Sequence, residues 1–157
     1  VIRMRGIAFK DEVWDLIRQL TLGMELVFRP IVASFGLTMT QTRLLVEIAR
    51  SDLATVGSLA DLVGLSSGNA SLMCKKLERA GFIRRIRDSR DERVVKLVLT
   101  PRGTATLQKI DQVLQDKYGA FLESKAPQDF ETIIAGMKKI NELLIEMGKL
   151  NKNDCEA

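Results

Sequence analysis

Between residues 66 and 102 the chain carries ten basic side chains (Lys75, Lys76, Arg79, Arg84, Arg85, Arg87, Arg90, Arg93, Lys96 and Arg102) against four acids (Glu78, Asp88, Asp91 and Glu92). That excess is larger than the formal net charge of +4 for all 157 residues, so the remainder of the chain is slightly acidic. A positive block on such a body is the electrostatic footprint of a polyanion binder. Composition alone reads equally well as a solvated surface of mixed charge, and arrangement has to separate the two. Other chemistry is narrowly bounded. The absence of histidine removes His-based acid–base catalysis, the Ser-His-Asp arrangement and His-containing zinc sites. Two cysteines, Cys74 and Cys155, cannot build a Cys₄ site or a disulfide framework. Nothing pairs a nucleophile with a base, so no catalytic residue, cofactor or metal ligand is assigned and the chain is read as a non-enzyme.

With 46% apolar and 28% charged residues the chain can fill a core. Its length suits one ordinary domain or one protomer of an entwined dimer. No run approaches the ~18 consecutive apolar residues of a membrane span. The amino end lacks a long apolar signal core. The expectation is a reduced, cytoplasmic protein with no membrane partner.

Hydrophobic spacing supplies the elements that must carry the basic block. Val13, Ile17, Leu20, Met24, Val27, Phe28 and Ile31 mark an amphipathic helix over residues 9–35, with a kink or break expected just before Pro30. Gly36 ends it. Thr38 and Thr40 offer caps for a second helix reaching about Arg50, with Leu44, Leu45, Ile48 and Ala49 inward. A short helix over Val56–Val63 stops at Gly64. Ser66 or Ser67 can cap the next helix, whose inner face is Ala70, Met73, Cys74 and Leu77 and which Gly81 stops. Two short helices around a Gly-containing turn form a helix-turn-helix. Residues 82–87 and 94–99 are rich in β-branched side chains and flank the charged run 88–93, which predicts a hairpin. Thr100-Pro101 starts a helix carrying Leu107, Ile110, Leu114, Tyr118 and Phe121 to about Ser124. Pro127 opens the last helix, with a stripe of Phe130, Ile133, Met137, Ile140, Leu144 and Met147. The predicted fold is mainly α with a small β-hairpin wing: a winged helix-turn-helix framed by N- and C-terminal helices.

At these residues the sequence resembles the MarR family of bacterial transcriptional regulators. The carriers are Gly36-Leu-Thr, Leu59-Ala-Asp-Leu-Val-Gly-Leu-Ser, Leu77-Glu-Arg-Ala-Gly-Phe-Ile-Arg-Arg, Asp88-Ser-Arg-Asp-Glu-Arg and Leu99-Thr-Pro-Arg-Gly, in that order. The resemblance implies one intertwined domain: an N-terminal dimerisation helix at 1–36, a winged-helix DNA-binding lobe at 37–100 and C-terminal dimerisation helices at 101–157. It implies a two-fold homodimer on a pseudo-palindromic operator with half-sites ~34 Å apart. It further implies a repressor released by a small aromatic or phenolic ligand. The competing reading is a ligand-binding or protein-interaction module of the same fold without operator binding.

In a helix-turn-helix the second helix enters the major groove, which makes Ser67, Asn69, Ser71 and Lys75 the polar candidates for base contact. Asn69 suits adenine, and the serine hydroxyls suit bases or phosphates. Local capping or plain solvent exposure of Asn69 and Ser71 stays open. Lys76 and Arg79 suit phosphates, which orient the protein without reading sequence. Leu72 departs from the polar or basic residue expected at that point; contact with a thymine methyl and simple packing both stand. In the wing, the resemblance implies that Arg90 enters the minor groove, whose negative potential favours arginine where it is narrow. Asp88, Asp91 and Arg93 would hold that loop, Arg93 also counting among the DNA-facing residues. An ordinary solvated turn is the alternative. Trp14, Met24, Phe28, Phe35 and Tyr118 are candidates for an effector pocket, with core packing as the alternative. The peroxide-sensing branch uses a cysteine near the start of its first long helix, and none precedes Cys74 here. Cys74 reads as a small buried hydrophobe on the inner face of its helix, and Cys155 lies in a polar tail. Lack of histidine argues against the zinc-responsive relatives.

Overall fold

The computed structural model describes the backbone of residues 2–154 and the side chains of residues 8–150; Cys155 lies outside the described residues. Among the described residues the chain runs α1 (Ile2–Ser34), α2 (Met39–Arg50), α3 (Val56–Val63), α4 (Ser67–Arg79), β1 (Ile83–Arg87), β2 (Val95–Leu99), α5 (Pro101–Glu123) and α6 (Pro127–Asp154). The architecture is the expected one, a helix-turn-helix and hairpin wing between long terminal helices. Between Leu114 and Gln115, within α5, the chain divides into two compact units.

Local rules start the short helices. Thr38 and Thr55 each close a capping box, with Gln41 and Ser58 returning the side-chain bond to the cap backbone. Ser66, the first of the two expected serines, caps α4 by accepting from the Asn69 N–H at 3.3 Å. Gly64 ends α3 at φ 66°, a left-handed conformation that costs glycine little. The Leu65 N–H then reaches back to the Ala60 carbonyl at 2.9 Å.

The core of the first unit is built by burying one face of each of these pieces. Leu44 and Leu45 of α2, Leu59 of α3, Cys74 and Leu77 of α4, Ile83 of β1 and Leu97 of β2 are all fully buried. No polar or charged residue is buried among the described residues, so the charge of this unit stays at its surface. The two strands pair antiparallel from Ile83↔Leu99 to Arg87↔Val95. The Leu97 N–H also donates to the Ala54 carbonyl at 2.7 Å, tying the wing to the segment that leads into α3.

Thr100 joins the wing to α5. Its hydroxyl donates to the Gly81 carbonyl at 2.6 Å and accepts from the Gly103 N–H at 3.1 Å, so the α5 cap also fixes the turn after α4. Arg102 lays its guanidinium over the Phe82 ring, 4.9 Å from the centroid. Gly103 is buried so closely against the Phe82 carbonyl that a Cβ there would collide with backbone.

Two expectations need correction. Helix α1 begins at Ile2 and runs to Ser34, so of the kink or break expected before Pro30 the break is absent. Pro30 has no N–H, so the Leu26 carbonyl loses its helical donor; both residues are exposed on this protomer. Ala49 is exposed, while Leu44, Leu45 and Ile48 form the inner face of α2. In the second unit α6 follows the end of α5 after a short turn; Lys125 lies 4.4 Å from the Phe121 ring centroid. Most of the α6 stripe is exposed, including Ile133, Met137, Leu144 and Met147.

Gly103→Ala should destabilise the fold by about 1–3 kcal/mol, because the clash with the Phe82 carbonyl outweighs the helix propensity that alanine adds. A denaturant titration reads this as a lower midpoint at unchanged slope. An unchanged or higher midpoint would show that the α5 start can shift away from the wing.

Candidate nucleic-acid interface

Helix α4 is held by its inner side. Ala70, Cys74 and Leu77, spaced four and three apart, are buried, which turns the opposite side to solvent. Asn69, Lys75, Lys76 and Arg79 are exposed there; Ser67 is exposed as the first residue of the helix, and Ser71 is half-buried and nearer the packed side. Because Ser66 supplies the cap, the Asn69 side-chain amide is left for other partners. Leu72 is 54% exposed, so it does not pack into the core. Arg85 of β1 bonds Glu78 of α4 at 3.2 Å, linking wing and helix across the surface. Burial pushes the Cys74 thiol above its ordinary value of 9.0, which makes it a packing group and a poor nucleophile.

The loop between the strands is ordered by its aspartates. Asp88 accepts from the Arg90 N–H at 2.6 Å, and Asp91 accepts from the Arg93 N–H at 3.0 Å. Both are side-chain turns closing two residues ahead. Arg93 thus enters the network through its backbone, and Arg90 and Arg93 are both exposed. A further clamp comes from Arg87, whose guanidinium donates to the Glu92 carbonyl at 2.8 Å. Lys96 approaches the other Asp88 oxygen at 3.8 Å. Arg87 and Lys96 belong to the basic block, but their positioning role was not separable from it by composition. The backbone bond from Arg90 holds the Asp88 carboxyl below its ordinary value of 3.8, with Lys96 and Arg90 lowering it further.

Within the first unit a cavity of about 560 Å³ opens between α1, α2 and the first half of α5. Met24 and Phe28 line it with Val32, Val46, Leu107, Ile110 and Leu114, and Arg43 and Arg50 stand on its wall with Glu47 and Asp111. It is a ligand-sized space with an apolar lining and few charges. Of the other candidates, Trp14 is 65% exposed on α1 and Phe35 is half-buried; neither lines this cavity. Tyr118 belongs to the second unit, where it is half-buried.

Asp88 contributes to loop order only while charged. Its lowered value means the contribution is complete above the ordinary carboxylate range and is lost as pH falls through the lowered one. The Arg90 amide resonance should therefore titrate with a midpoint below 3.8. In Asp88→Asn that transition should disappear. A parent midpoint at or above 3.8 would remove the bond from the account of the loop.

Residues 37–95 match the MarR family model. The HTH-type transcriptional regulator SarZ of Staphylococcus haemolyticus is 36% identical over 84 residues, covering 51% of this chain and 57% of that protein. The chain thus spans little more than half the length of the SarZ relatives it matches. Among solved structures, a cysteine-to-serine mutant of MarR from E. coli complexed with operator DNA superposes with a TM-score of 0.69 at 20% identity, covering 82% of this chain and 93% of that one. Staphylococcus aureus MarR in complex with salicylate and kanamycin gives a TM-score of 0.74 at 18% identity, covering 88% and 94%. At such identities these structures speak for the fold, while the motif-bearing lobe carries the sequence match. The winged-helix lobe, residues 37–95, is thus similar to the MarR family, and the chain as a whole shares the fold of solved MarR regulators.

Proposed function

We propose that the protein is a homodimeric transcriptional regulator that binds a pseudo-palindromic operator in double-stranded DNA and acts in the cytoplasm. One observation carries the reading: α4 turns Lys75, Lys76 and Arg79 outward while the aspartate-ordered loop presents Arg90 and Arg93 on the same lobe. In this reading Ser67, Asn69 and, less accessibly, Ser71 face base edges, and Lys75, Lys76 and Arg79 meet bases or phosphates. Arg90 enters the flanking minor groove, with Arg93 near it and Asp88 and Asp91 holding the loop in shape. That E. coli MarR, of the same fold, forms a complex with operator DNA supports double-stranded DNA as the partner.

The terminal helices, residues 1–36 and 101–157, serve as the dimerisation part of a single intertwined domain around the 37–100 lobe. Support comes from the apolar residues they expose. Trp14, Leu20 and Leu26 of α1 and Ile133, Met137 and Met147 of α6 are each at least half exposed. An apolar surface of that extent on one protomer calls for a covering partner. The protein acts as a repressor released by a small aromatic ligand. The cavity beside Met24 and Phe28 would take the ring, and Arg43 or Arg50 would take a carboxylate. The salicylate complex of S. aureus MarR supports that ligand class.

Arg90→Ala should weaken operator binding by about 1–3 kcal/mol while leaving the thermal melt unchanged. Equal affinity of variant and parent, titrated at one salt concentration, would refute the wing assignment. Lys76→Ala should weaken specific and nonspecific duplexes alike and reduce the magnitude of the salt slope by about one. A loss confined to one operator base would mark Lys76 as a reader instead.

A further inference from the structure

We propose that Leu72 reads sequence, by apolar contact with the C5 methyl of a thymine in the major groove. The inference rests on the DNA-binding reading above and deepens it. A single exposed leucine is ordinary on a protein surface. What sets this one apart is its setting. Among the described residues Leu72 is the one large apolar side chain that α4 exposes, at 54%. It lines a shallow groove of about 240 Å³ between α4 and the start of α2, whose floor includes Leu65 and Met73 and whose polar residues are Thr38, Gln41, Asn69 and Lys76. The buried face of α4 is formed by Ala70, Cys74 and Leu77, and Leu72 lies outside it with about half of its surface open to solvent.

The major groove offers an apolar side chain one distinctive target, the thymine methyl. Asn69 stands three residues before Leu72 on the same side of the helix, a rise of about 4.5 Å. That is close to the ~3.4 Å spacing of stacked base pairs, so the two side chains address the same or adjacent pairs. An asparagine amide suits adenine N6 and N7, and a leucine suits the methyl of thymine. Side by side they favour an A·T-containing step, with Lys76 one turn further along to meet the phosphate beside it.

The test begins by selecting duplexes from a random library with the parent protein. Each thymine of the enriched site is then replaced by deoxyuridine, which removes the methyl and keeps the base pair. At one thymine per half-site, parent affinity should fall about fourfold, the value of one buried methyl-sized group. Leu72→Ala, an exposed substitution whose folding is checked by circular dichroism, should bind the thymine and deoxyuridine duplexes equally. The proposal is overturned if the parent tolerates deoxyuridine at every position, or if Leu72→Ala keeps the same penalty; either result leaves the DNA-binding reading standing. Failure to enrich any duplex would overturn both.

Discussion

The apolar seam of Ala70, Cys74 and Leu77 is the constraint on which the candidate interface depends. It buries one side of α4 and thereby dictates which side faces water. Three small or medium side chains suffice because α3 supplies Leu59 and Ala60, and the hairpin supplies Ile83 and Leu97, to the same core. Charge is excluded from that core, so lysines and arginines of the lobe have only the surface to occupy. A helix turned the other way would bury Lys76 and Arg79, at a desolvation cost that the fold offers no partner to offset.

The wing is fixed to the rest of the lobe by contacts at three places, on α4, before α3 and in the turn after α4. Arg85 reaches Glu78, the Leu97 N–H reaches the Ala54 carbonyl, and the Thr100 hydroxyl reaches the Gly81 carbonyl. The first is an exposed ion pair and adds little stability. The backbone bond and the capping hydroxyl are directional and partly or fully shielded, so they set the position of the hairpin. At its far end the loop order comes from Asp88 and Asp91, whose side chains bond backbone N–H groups and leave the arginine side chains outward. Loop order and outward positive charge are thus divided between acids and bases within one six-residue motif.

Much of this was legible in the residues because it follows local rules. Helix α3 lies where the apolar spacing and Gly64 place it, the hairpin follows the two β-branched runs, and the Thr100 cap is the hydroxyl before a proline. Pro30 signals a break by residue type alone, whereas α1 continues past it at an exposed position. The bonds from Arg87 to the Glu92 carbonyl and from Thr100 to the Gly81 carbonyl, 5 and 19 residues apart, depend on strand pairing and the closure of the lobe, which carry no periodic signal. The cavity was half legible. Met24 and Phe28 share one side of α1, whereas Trp14 and Phe35 gave the same aromatic signal without reaching it.

Chemical interference on a selected duplex tests the central claim most directly, since dimethyl sulfate methylates guanine N7 in the major groove and adenine N3 in the minor groove. With α4 in one groove and Arg90 in the next, N7 interference should fall in two blocks about one helical turn apart, each flanked by N3 interference. Interference confined to one groove, or none in either, would contradict the account.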